Sequence, residues 1–157
     1  MSINIRNGFT LLIISTLFIL STAFTGLMAQ SPVGTWKTID DETGKERSLV
    51  EIYEKEGKLY GKVIKLFPLP DDDPNPVCDE CDEDDPRYMK PVVGLEILQG
   101  LEKEDDDEWE GGQILDPKNG NVYSCYIELK GADKLKVRGY LGVALLGRTQ
   151  YWYRLKE

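Results

Sequence analysis

No histidine occurs in the 157 residues. Triads built on imidazole, zinc sites that need histidine and histidine pH switches are therefore excluded. Positive charge is also short, with 19 Lys and Arg against 28 Asp and Glu for a formal net charge of −9. Such a surface repels nucleic acid and anionic membrane. A continuous apolar run of about 18 residues, long enough to span a bilayer, is missing. The stretch Phe9–Leu20 comes nearest, but Ser15 and Thr16 break it and Ser21 and Thr22 follow it. No segment repeats its apolar residues at helical spacing over a helical length. Nor is any catalytic constellation recognisable. The chain is read as a non-enzyme, and neither a cofactor nor a metal is assigned to it.

The N-terminus carries an export pattern. Met1–Asn7 holds one positive side chain, Arg6; an apolar run follows, and Ser21–Ala29 turns small and polar, ending LMAQ. This is the three-part layout of a secretory signal. Cleavage is expected after Ala29, with an uncleaved anchor as the alternative. Loss of residues 1–29, and of Arg6 with them, leaves 128 residues and moves the formal charge from −9 to −10. Residues 30–157 are the size of one domain. A secreted or periplasmic monomer with no stable membrane insertion is expected.

That remainder reads as short strands separated by turn chemistry. Gly34–Ile39, Arg47–Tyr53 and Leu59–Phe67 make a meander, joined by DDETG at Asp40–Gly44 and by Glu56-Gly57. Val92–Leu98 and Glu110–Leu115 are weaker, glycine-containing strands on either side of the charged turn Glu102–Glu108. Asp116–Gly120 (DPKNG) is a tight turn, which accounts for Asp116 without a catalytic role. Val122–Lys130, Lys134–Leu141 and Arg148–Leu155 complete eight strands. Consecutive hairpins at this spacing predict an all-β, antiparallel, up-and-down barrel, because closure leaves no exposed edge. An eight-stranded barrel is filled by side chains or holds one small ligand.

GTWK at Gly34–Lys37, the C-x-x-C loop, VVGLEIL, GGQILDPKNGNVY at Gly111–Tyr123, LKVRGYLG at Leu135–Gly142 and GRTQYWYR at Gly147–Arg154 appear in order. Through these motifs the chain resembles the bacterial secreted domains of unknown function called DUF2147. The resemblance implies a lipocalin-like barrel and no established activity. In barrels of that kind a Gly-x-Trp on the first strand closes one end, and a basic side chain of the last strand packs across the indole. Gly34, Trp36 and Arg154 fill those positions here, with Trp152 as a further plug. First and last strands become neighbours on closure, so a cation over the indole face is geometrically available.

Other strand residues suggest a pocket. Alternation places Gln150, Trp152 and Arg154 on one face and Thr149, Tyr151 and Tyr153 on the other. Arg138 and Tyr140 share a face, as do Tyr123, Cys125 and Ile127. Aromatic lining with a few convergent polar groups makes Tyr123, Arg138, Tyr140, Arg148 and Tyr151 the candidate ligand-binding set, suited to an anionic or amphipathic small molecule. The alternative is structural: half-buried sheet tyrosines, and arginines paired with nearby carboxylates. Gly142–Gly147 (GVALLG) is either an exposed mouth, lid or interaction patch, or a cap folded on the core.

Cys78 and Cys81 stand in a run of carboxylates, DDDPNPVCDECDEDDP. Those charges raise a thiol pKa, which opposes a redox-active thiolate. Outside the cytoplasm two nearby cysteines default to a disulfide, here closing a very short loop. A metal site with Cys125 as third ligand is the rival, although Cys125 sits mid-strand where burial is usual. The carboxylates could gather Ca²⁺ weakly, but Pro74, Pro76 and Pro86 break the run and its spacing is not that of a calcium loop. The expected function is a secreted or periplasmic binding module for a small apolar or amphipathic molecule. A metal-binding envelope protein, a thiol–disulfide enzyme and a filled barrel acting through its surface are the alternatives.

Overall fold

The computed structural model describes residues 30–40 and 43–156. The expected signal segment, residues 1–29, lies outside the described residues. Eight strands form: β1 Gly34–Ile39, β2 Glu46–Lys55, β3 Lys58–Leu66, β4 Glu96–Lys103, β5 Glu108–Leu115, β6 Val122–Leu129, β7 Lys134–Tyr140 and β8 Gly147–Arg154. They close in sequence order into one antiparallel barrel. Closure is made by Trp36 opposite Arg154 and Lys37 opposite Tyr153.

Most boundaries fall within two residues of the sequence reading. The fourth strand does not: it was expected over Val92–Leu98 and runs Glu96–Lys103. Gly94 has φ 94°, its N–H donates to the Val63 carbonyl, and Val63 N–H donates to Leu95. The VVGL half of the motif is thus a turn entering the sheet, and the pairing begins only afterwards. The charged turn shortens accordingly, and β5 starts at Glu108. Between β2 and β3, Glu56 (φ 54°) and Gly57 (φ 76°) make a two-residue hairpin with both central residues left-handed, the geometry that matches strand twist.

Strand alternation builds a core at one end of the barrel. Trp36, Ile52, Leu59, Leu101, Trp109, Leu129 and Leu135 are all buried there, at the end where the β2–β3, β4–β5 and β6–β7 turns lie. Arg154 plugs this end. Its guanidinium carbon lies 4.2 Å from the Trp36 ring centroid. Its three nitrogens donate to the carbonyls of Ala132 (2.7 Å), Val33 (2.9 Å) and Ser31 (2.7 Å). The Trp36 indole N–H donates to Pro32 at 2.7 Å, so the segment before β1 is tied beneath the barrel. Gly34 suits this place, because its φ of 133° is one that L side chains rarely adopt and a Cβ there would stand 2.8 Å from an Arg154 nitrogen.

Candidate functional site

An up-and-down order sends the other four connections, β1–β2, β3–β4, β5–β6 and β7–β8, to the opposite end. There the interior is not filled. A cavity of about 890 Å³ opens between these loops. Its walls are apolar: Val63, Ile97, Ile114, Leu115 and Val137 line it, with Trp152 the deepest lining residue of β8. The polar groups in the wall are already matched. The Thr38 and Ser48 hydroxyls bond each other at 2.7 Å, and the Trp152 indole N–H donates to the Gln150 side-chain carbonyl at 3.3 Å.

The rim is ionic. Five carboxylates, Asp40, Asp72, Asp73, Asp79 and Asp116, line the opening together with the cations Arg47, Lys118 and Arg148. Arg47 pairs with Asp72 at 2.5 Å and with Asp40 at 3.8 Å. The Leu69 N–H first, and Arg47 second, hold the Asp72 carboxyl below its ordinary range.

The β3–β4 connection, residues 67–95, forms one side of the mouth. It is folded as a unit. Cys78 N–H donates to Lys90, Met89 N–H to Cys78 and Val92 N–H to Pro76, and Val77 bridges Pro91. Cys78 and Cys81 form a disulfide with Cα atoms 5.4 Å apart, and both are buried. The unit packs on the β5–β6 turn so closely that a Cβ at Gly120 would lie 1.6 Å from the Glu80 carbonyl oxygen. Besides Asp72, Asp73 and Asp79 at the rim, it contributes Phe67, Pro68, Pro76, Val77 and Val92 to the cavity wall.

Of the residues proposed from sequence, Tyr123 and Arg148 line the cavity. Tyr140 borders the mouth, with its ring 6.4 Å from that of Tyr126 on the outer surface. Arg138 and Tyr151 lie on the outer face of the wall. Arg138 donates to Thr149 Oγ1 (2.7 Å) and to the carbonyls of Ala144 (2.7 Å) and Leu145 (3.1 Å), bracing the β7–β8 loop from outside. Lys134 Nζ sits 4.0 Å from the Tyr151 ring centroid. The phase of β7 accounts for this: buried Leu135 and Val137 point inward, which sends Arg138 out. Those apolar positions were the available signal. Trp152 forms cavity wall as well as core. Within the β7–β8 loop, Leu141, Val143, Leu145 and Leu146 are exposed rather than folded over the core.

Cys125 is fully buried and unpaired, and burial pushes its thiol up to about 12. Among the described residues no group of three or more His, Cys, Asp or Glu is placed to hold a metal ion.

Residues 34–154 match the model of a family described as an uncharacterized protein conserved in bacteria, DUF2147. The chain belongs to the DUF2147 family. Among solved structures, this DUF2147 barrel is similar to protein HP1028 of the human pathogen Helicobacter pylori, which belongs to the lipocalin family. The two share 21% identity over 81% of this chain and 84% of that one, with a TM-score of 0.68. A redesigned β-barrel overlaps more loosely, at 15% identity over 80% of this chain and 91% of the other, with a TM-score of 0.45. No curated protein matches. The likeness to HP1028 establishes the fold, a lipocalin-like closed barrel.

Proposed function

We propose that this DUF2147 chain is a non-enzymatic binding module that takes a small amphipathic molecule into the open end of its barrel, in the bacterial envelope or outside the cell. One observation carries the reading: the half-filled interior. Side chains pack one end of the barrel, while the other keeps an apolar-walled cavity of about 890 Å³. That volume is in the range of small-molecule sites, which typically combine apolar walls with a few polar groups at the edge. Export is supported by the layout of Met1–Ala29 and by the Cys78–Cys81 disulfide, a bond that persists mainly in oxidising compartments.

The surface-interaction reading keeps one observation, the exposed leucines of the β7–β8 loop. The cysteine-ligated version of the metal reading loses its ligands, since a disulfide consumes two of the three cysteines.

Fluorescence titration with the neutral probe N-phenyl-1-naphthylamine tests the proposal. Saturable binding at one site is expected. Val137→Phe, which fills the cavity from β7, should weaken it at least tenfold, about 1.4 kcal/mol, while the circular dichroism of the barrel is retained. A probe that does not bind, or that binds the filled variant equally well, overturns the reading.

A further inference from the structure

The cavity leaves open which end group its ligand carries, and the rim bears on that question. We infer that the ligand is a cationic amphiphile, with an apolar body against the Trp152 wall and a protonated or quaternary amine at the mouth. This rests on the cavity reading above and narrows it.

The polar groups of the cavity wall are paired with one another, Thr38 with Ser48 near the mouth and Trp152 with Gln150 further in, so an apolar body meets no group that demands a polar atom from it. Charge recognition is therefore confined to the rim. There carboxylates outnumber cations five to three, and the cations are not equally available. Arg47 is held by Asp72 and Asp40 and Arg148 is itself engaged, while Lys118 is exposed on the β5–β6 turn and in no ion pair among the described residues. On the acidic side, Asp116 is tied into its own turn by the N–H groups of Lys118 and Asn119. Asp73 also accepts a local bond, from the Asn75 N–H at 2.8 Å, but like Asp79 it is exposed, lines the opening and takes no part in an ion pair among the described residues. Tyr123 lines the same opening, and an aromatic face is a favourable neighbour for an ammonium group.

The longer-range field has the same sign. Glu80, Asp82, Glu83 and Asp84 stand on the same loop, and the whole chain carries −9. A cleft rimmed by one sign of charge concentrates the opposite ion and raises its rate of entry. An anionic end group would meet this field at the only depth where its charge could stay hydrated. Arg138, which facing inward would have favoured an anionic ligand, is spent on the loop carbonyls outside, so among the described residues Lys118 alone stands as an unpaired rim cation against Asp73 and Asp79.

The test is displacement of N-phenyl-1-naphthylamine by three compounds with the same twelve-carbon tail: dodecyltrimethylammonium, 1-dodecanol and dodecanoate, all below their micelle concentrations. At low salt the ammonium compound is expected to bind at least tenfold more tightly than dodecanoate, with dodecanol between. The gap should shrink in about 0.5 M salt, where the screening length falls to a few ångströms. The double variant Asp73→Asn/Asp79→Asn should narrow it at low salt. The same loss of two charges at Glu83→Gln/Asp84→Asn, positions that do not line the cavity, should leave most of it. Dodecanoate binding as tightly as the ammonium compound overturns the inference while the cavity reading stands. Equal effects of the two double variants also overturn it, since net charge rather than the rim would then set the order. If dodecanol fails to displace the probe as well, the cavity reading falls with it.

Discussion

Arg154 concentrates more of the fold on one side chain than any other residue described. It stacks on Trp36 and caps three carbonyls from two separate segments, the chain before β1 and the β6–β7 turn. Arg154→Ala strands those carbonyls and should cost about 2–3 kcal/mol in urea unfolding. Arg154→Lys keeps the charge but not the planar fork, so an intermediate loss is expected. A midpoint unchanged in both variants would show that the plug is ornamental to stability. Gly34, Trp36 and Arg154 were legible in the sequence because a short motif and the adjacency of first and last strands fix them without any knowledge of loops. Cys125 makes a second residue-scale prediction. Its thiol is raised to about 12 when folded and ionises near 9 when not. A raised folded value means stability that is intact below about pH 9 and is lost as pH climbs toward 12, by up to about 1.4 kcal/mol per pH unit. Tyr53, raised to about 12 by burial and its bond to Glu96, acts in the same direction above pH 10. Cys125→Ala should flatten the alkaline limb of the stability curve, and the native thiol should resist alkylation at pH 8 until the protein is unfolded. Rapid alkylation of the folded protein would contradict its burial.

The element that decides the site is the β3–β4 connection. The sequence displayed its charge and its cysteines: the carboxylates argued against a redox-active thiolate, and the expected compartment argued for a disulfide, which forms. What it concealed was location: nothing in DDDPNPVCDECDEDDP says that Pro76 and Val77 face a cavity, since that depends on packing against the distant β5–β6 turn at Gly120. The same long-range dependence displaced β4, whose first half was drawn into a turn by Gly94 and Val63. Replacing both Cys78 and Cys81 by Ser frees a loop of only a few residues, so the global cost should be about 2 kcal/mol or less. The local effect should be larger, with faster amide exchange across residues 76–92, where the loop's own ladder runs. Uniformly slow exchange there in the double variant would mean that the hydrogen bonds suffice to hold the loop.

At the scale of the whole molecule, the eight-stranded closed barrel could be read from hairpin chemistry and alternation alone. The hollow could not. Whether a barrel is filled depends on how eight inward-facing rows meet, and here Trp36, Trp109 and Leu101 meet at one end, while at the other the rows include the smaller Thr38, Ser48 and Gly139 beside apolar residues that line the cavity without filling it. Arg138 and Tyr151 face outward because the buried positions of their own strands, Leu135 and Val137 on β7 and Trp152 on β8, fix the opposite phase. The asymmetry between the two ends is the physical basis of the proposed function. Native mass spectrometry of the purified protein, before and after incubation with excess 1-dodecanol, tests it most directly. A small non-covalent mass is expected, either carried through purification or acquired as one equivalent of dodecanol, and it should be lost in the Val137→Phe variant. A bare polypeptide mass under both conditions would contradict a ligand-holding barrel.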